Sequence, residues 1–222
     1  MGDHCGSQQL SAYDFMLLLI IILTISISWY AFQNEGRKHS FMLKPYLVVH
    51  RQQWHRLISH AFIHADTTHL LFNMFVLWQF GSSVENQLQT GSFSPLIEIP
   101  GEYTFLMLYA GGLFTATVPA LIKHRTNPGY ASLGASGAVS AVMMAYILLF
   151  PTAKLLLFFV IPMPAFVAGI LFFSYESYMN KNGRTNIAHD AHLWGALFGV
   201  MFTLAADNQT VNRLYDSIHL LF

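Results

Sequence analysis

A chain of 222 residues with 54% hydrophobic and only 10% charged residues cannot clothe itself in a water-soluble surface, which normally carries about 25% charged residues. Lipid is therefore the expected solvent for much of it, and a formal net charge of zero gives no case for nucleic acid. The single cysteine, Cys5, excludes an internal disulfide and a thiolate-based zinc site.

Apolar runs long enough to cross a bilayer, or nearly so, are counted against the usual length of about 20 residues. The first covers residues 13–32. The segment before it, 1–12, has no Lys or Arg, and no small-residue cleavage site follows the run, so it does not read as a cleaved signal. A connection over residues 33–68 comes next. It is not simply polar: Phe41, Leu43, Tyr46, Val48, Trp54, Leu57 and Ile63 are scattered through it. Short amphipathic pieces resting in the headgroup region are expected there, and a small folded cap on the membrane surface fits the same periodicity.

The second run covers 69–84, the third 103–122, and the fourth 135–150, ending before Pro151. The fifth lies within 155–178 and is interrupted by Pro162 and Pro164, at which its helix can start because proline suits a first helical turn. The sixth is 188–206 and leaves 207–222 as a C-terminal tail. The expected class is an all-α membrane protein. Six spans in a single domain over 13–206 carry a long membrane-associated loop between helices one and two.

The chemistry collects at one level. Spans two, four and six run in the same direction, so the residues at their N-terminal ends share a side and a depth. His69 and Asn73 open span two, Ser136 opens span four, and His192 sits one turn into span six. Span four is also short. Its 16 residues cover about 24 Å of a hydrocarbon core about 30 Å thick. Ser136 is therefore expected below the surface, in a water-filled pocket.

A neutral imidazole at His192 can take the Ser136 proton and later return it. The start of the helix offers unpaired N–H groups to an oxyanion, and His69 and Asn73 can add side-chain donors. No acid stands at helical spacing to complete a triad. Asp190 precedes His192 by two positions, and such side chains do not face each other. The reading is a Ser–His dyad.

Each piece also has a plain structural reading. Small residues in membrane helices mark close packing, which is the expectation for Gly195 and Gly199, and a membrane serine is most often structural. The histidines admit a metal site as well. His60 and His64 are four apart, His69 follows, and His189 and His192 are three apart, spacings that can hold zinc or a di-iron centre. A transporter would use broken spans and intramembrane polar groups, but no inverted repeat is visible.

Taken together, His60, His64, His69, Asn73, Gly81, Glu85, Gly134, Ser136, Gly137, His192, Gly195 and Gly199 resemble, in order and spacing, the rhomboid intramembrane serine proteases. The resemblance covers residues 54–206. It implies Ser136 as nucleophile, His192 as general base, and His69 and Asn73 as oxyanion-stabilising residues, with no cofactor and no metal. It also implies structural roles for Arg56 and Glu85 in holding the first loop and its neighbourhood, with His60 and His64 as buried hydrogen-bonding residues.

Many members carry an aromatic residue one turn after the serine, stacked on the imidazole. Here Ser140 stands there, so Trp194 or packing from span two is expected to hold the ring. With both dyad residues present, an active protease is favoured over an inactive relative that binds membrane proteins. The implied partners are the lipid bilayer and transmembrane protein substrates, reaching the site sideways past span five, which Pro162 and Pro164 would weaken.

The implied location is a multi-pass integral position, in a prokaryotic cell membrane. Orientation is contested by charge. The dyad's side carries Arg37, Lys38, Lys44, Arg51, Arg56, Lys123, Arg125, Lys181 and Arg184, against Lys154 and Arg213 opposite, and the positive-inside rule would turn that side to the cytoplasm. The family generally opens its site outward, and that orientation is the one expected.

Overall fold

The computed structural model describes residues 15–90, 101–157, 160–183 and 187–219. The 1–12 segment, the first two residues of the first run, Arg184 and the end of the tail lie outside them. Six long helices correspond to the six apolar runs: α1 (Phe15–Phe32), α5 (Thr67–Thr90), α6 (Gly101–His124), α7 (Ser136–Leu149), α8 (Ala165–Asn182) and α9 (His189–Ala206). Of these, α1 and the Tyr103–His124 part of α6 are long and apolar enough to cross a membrane, and α7 is a shorter apolar helix. Two helices, not six, meet that measure.

Helix α7 is the axis of the bundle. Eleven of its 14 residues are buried, from Gly137 through Leu149, and α5, α6 and α9 pack around it. Its sequence explains why. Gly137, Ala138, Ala141 and Ala145 give it a narrow waist against which neighbours close tightly. The closest neighbour is α9. A Cβ on Gly195 would lie 2.0 Å from the Gly137 carbonyl oxygen, and one on Gly199 would lie 2.3 Å from that of Ala141. The two glycines let the backbones touch, which is the packing role expected of them. Helix α1 is fastened by Glu85 of α5. Its carboxylate is fully buried and accepts hydrogen bonds from the N–H groups of Met16 and Leu17, at 3.0 and 2.9 Å. Those N–H groups belong to the first turn of α1, where no intrahelical acceptor exists.

The 33–68 connection folds into short pieces: α2 (Glu35–Phe41), α3 (Pro45–Arg51), α4 (Arg56–Ser59) and a 3-10 turn, His60–Phe62. Arg56 organises them, donating to the carbonyls of His39 and Met42 at 3.0 and 2.7 Å and to Gln53 at 2.7 Å. Leu43, Val48, Ala61 and Ile63 turn inward while Val49, Trp54 and Ile58 stay exposed. The connection is thus a folded cap with an apolar outer edge, a combination of both expectations.

Pro162 and Pro164 do not interrupt a helix. They lie in β2 (Ile161–Pro164), which pairs antiparallel with β1 (Lys154–Leu157), and α8 starts after them. Prolines at an edge strand cost no helical hydrogen bond, so they leave α8 intact rather than weakened. The tail is not featureless either: α10 (Thr210–His219) follows α9 through an Asp207–Arg213 ion pair.

Candidate active site

Three local structures converge on Ser136. The first is the segment leading into α7, bridged to the cap. Leu43 of the cap exchanges both backbone hydrogen bonds with Ser132 (2.9 and 3.0 Å), and the Gly134 N–H donates to the His60 carbonyl at 2.9 Å. The cap therefore grips the chain on both sides of Leu133, three residues before the serine. Gly134 itself adopts φ +110°, a conformation that glycine reaches without strain. A Cβ there would also meet the His69 ring at 2.9 Å. Glycine is required at this point on both counts.

The second is the start of α7. Ser136 is its first residue, and Ala135 before it supplies no side-chain cap. The first N–H groups of the helix are left pointing toward the serine's surroundings, with the positive end of the helix dipole behind them. A cavity of about 30 Å³ lies alongside, lined by His60, Gly134, Ser136, Gly137 and Asp190 among others, large enough for a water molecule.

The third is the first turn of α9. His192 Nε2 lies 2.8 Å from Ser136 Oγ, although 56 residues separate them in sequence. The gap is bridged by the Gly195 and Gly199 contact, which brings the two helix axes close enough for a serine and a histidine to touch. Asp190 is turned away, as its spacing predicts: it pairs with Lys123 of α6 at 2.7 Å.

The expectation that no acid serves His192 is overturned. Glu176 Oε1 on α8 lies 3.1 Å from His192 Nδ1, and its other oxygen lies 2.6 Å from His189 Nδ1. Glu176 is 5% exposed and His189 also 5%. The ring is held by this carboxylate and not by Trp194, which is 41% exposed. Sequence spacing could not find the contact because it joins separate helices. A signal was nonetheless present: Glu176 is the only acid in the fifth apolar run, and ionisable groups in such runs favour function by default. Ser140, in the place of the usual aromatic, donates to the Ser136 carbonyl at 2.8 Å.

The remaining predicted residues do not bond to the serine among the described residues. Asp66 accepts from the His69 N–H at 2.8 Å and so caps α5, setting His69 in its first turn. His69 rests against Gly134, and Asn73, one turn on, donates to the His69 carbonyl at 2.9 Å. Among the described residues neither side chain hydrogen-bonds Ser136. His60 gives its Nδ1 to the Arg56 carbonyl (2.9 Å), and His64 Nδ1 meets Ser28 Oγ at 3.0 Å. Burial pushes His60 down to about 4 and His64 to about 3, the latter helped by neighbouring His69. Both rings are therefore neutral members of the cap. Glu176, His189 and His192 form the one group of three potential metal ligands among the described residues, and the short contacts between them are those of direct hydrogen bonds.

Comparison with known proteins gives the family of the chain. The rhomboid domain family matches residues 51–207. The chain belongs to the rhomboid family. RHOMBOID-like protein 12, mitochondrial, of Arabidopsis thaliana is 33% identical over 85% of this chain and 57% of its own length. Rhomboid protein 1, mitochondrial, of Saccharomyces cerevisiae is 33% identical over 71% of this chain and 44% of its own. Presenilin-associated rhomboid-like protein, mitochondrial, of Homo sapiens is 32% identical over 66% and 36% respectively. This rhomboid chain thus spans about half the length, or less, of these relatives. It is a membrane protein, as its family is. All three names are mitochondrial, which tells against the expectation of a prokaryotic cell membrane.

Proposed function

We propose that this rhomboid protein is an intramembrane serine endopeptidase that cuts the transmembrane helices of other proteins. In this reading α1, α5, α6, α7, α8 and α9 are its six spans. The observation that carries it is the 2.8 Å contact between Ser136 Oγ and His192 Nε2 at the start of α7.

The mechanism follows from the parts. Ser136 Oγ attacks the carbonyl carbon of the scissile peptide as its proton passes to His192 Nε2. The carbonyl oxygen becomes an oxyanion, facing the open N–H groups at the start of α7 and donors from His69 and Asn73. Asn73 has a second amide hydrogen beyond the one bound to the His69 carbonyl. Collapse breaks the C–N bond, and the leaving amine takes the proton from His192. Water from the adjoining cavity then gives a proton to His192 and attacks the acyl ester. The acid is released and Ser136 regains its hydroxyl. Access sideways past α8 no longer rests on weakening prolines. It rests on the small face that α8 commits to the bundle, where Ala165, Gly169 and Glu176 are its buried residues.

The test is a fluorophosphonate probe on purified protein in detergent. Labelling is expected at Ser136, absent in Ser136→Ala, and much reduced in His192→Ala. Chelators are expected to change neither labelling nor cleavage of a transmembrane substrate. The Glu176, His189 and His192 cluster motivates a metalloenzyme as the competing reading, and it demands the reverse: no adduct, bound metal by elemental analysis, and activity lost on chelation. Protein with neither adduct nor metal would be an inactive rhomboid relative, and the enzyme assignment would fall.

A further inference from the structure

We infer that Glu176 is the positioning residue of this site: its carboxylate holds two imidazoles at once, and so dictates which nitrogen of His192 faces the serine. The inference rests on the protease reading above and adds a third member to it. A carboxylate offers only acceptors. Its two oxygens meet the Nδ1 atoms of His192 and His189 at 3.1 and 2.6 Å, so both Nδ1 atoms must carry hydrogen. A neutral imidazole has one N–H. His192 therefore keeps its lone pair on Nε2, the atom 2.8 Å from Ser136 Oγ, and the hydroxyl donates to it. That is the tautomer a general base requires.

The arrangement has a second consequence. Once His192 accepts the Ser136 proton it becomes a cation, and the carboxylate is already in contact with it, in surroundings where charge is poorly screened. No solvent needs to reorganise to receive that charge. His189 explains why one glutamate suffices. Its ring is three residues from His192 on the same helix face, and by occupying the far oxygen it stops the carboxylate from rotating away. The proton itself stays on Nδ1 throughout, and Glu176 touches neither substrate nor serine.

The variants Glu176→Gln and Glu176→Ala separate positioning from scaffolding. An amide keeps the shape of the carboxylate but offers one acceptor where two N–H donors need one each, so one histidine must give up its tautomer. The turnover number on a transmembrane substrate and the rate of fluorophosphonate labelling at Ser136 are expected to fall together in both variants, by about 10²- to 10⁴-fold. KM is expected to stay put in Glu176→Gln, which keeps the size of the side chain that α8 buries and changes only its contacts with His189 and His192, and this variant is expected to melt as wild type does. His189→Ala is expected to cost less, since the contact with His192 survives.

Nitrogen NMR of imidazole-labelled protein, with His192 assigned by its loss in His192→Ala, gives a reading that needs no variant at position 176. Wild-type His192 must carry its hydrogen on Nδ1. Finding it on Nε2, or finding Glu176→Ala labelled at the wild-type rate, overturns the inference while leaving the protease reading intact. Wild-type protein that is never labelled at Ser136 overturns both.

Discussion

Replacing Gly195 by alanine adds one methyl group at the tightest point of the fold. The new Cβ would stand 2.0 Å from the Gly137 carbonyl oxygen and 2.7 Å from its carbon, whereas real Cβ atoms keep at least 3.0 Å. The obstruction is backbone, so no side chain can swing aside. Helix α9 must move off α7 by about 1 Å, and overpacking of this kind costs about 1–3 kcal/mol. The same displacement acts on the 2.8 Å contact between Ser136 and His192, because His192 lies three residues before Gly195 on the displaced helix. A misplacement of about 1 Å can cost about 10²-fold in rate. Cleavage of a transmembrane substrate and probe labelling of Ser136 are both expected to drop by about that factor, at a temperature where thermal melting shows the variant still folded. Gly169→Ala serves as the control, since its Cβ would meet only side-chain atoms of Ile147 and Met144, at 3.2 Å or more. A Gly195→Ala protein that cleaves at the wild-type rate would refute the idea that backbone contact between α7 and α9 sets the distance of the pair.

The cap should open in acid. His60 and His64 are held below the ordinary value of 6.5, at about 4 and about 3, so the native cap binds fewer protons than the unfolded one. Stability must then fall as pH drops below 6.5, continuing to about 4 for His60 and about 3 for His64. At pH 5 each histidine costs about 2 kcal/mol, readable as faster hydrogen exchange over residues 43–64 than at pH 7.5. Exchange that does not respond to pH there, after correction for its intrinsic rate, would contradict the buried neutral rings. Glu85→Ala removes two hydrogen bonds that its carboxylate accepts from the first turn of α1 and should cost about 3 kcal/mol, seen as a lower melting temperature; an unchanged melt would mean that α1 is held by packing alone. For orientation, a cysteine at Gly183 in a Cys5→Ser background should react from outside with an impermeant maleimide while one at Thr152 is protected. The opposite pattern would show that the positive-inside rule governs this chain.

Periodicity and composition were enough to find the helices, because an apolar run of membrane length leaves the chain few alternatives, and each of the six runs contains the body of one long helix. They were also enough to nominate Ser136, His192, His69 and Asn73, since helices of alternating direction put equivalent ends on one level. The prolines mark where the fifth helix starts, as the sequence allows, but Pro162 and Pro164 stand in an edge strand just before it, so they do not weaken it.

What the sequence could not carry is rotation and approach. Whether Ser136 and His192 touch depends on how closely α7 and α9 cross, a property of Gly137, Ala141, Gly195 and Gly199 meeting face to face. Whether an acid reaches His192 depends on how α8 is turned about its own axis against α9. Spacing along one helix excluded Asp190 correctly, but it is blind to a carboxylate on the next helix. Glu176 became the partner of two histidines only when packing fixed that rotation, because a hydrogen bond between helices is decided by fractions of an ångström that no linear pattern records.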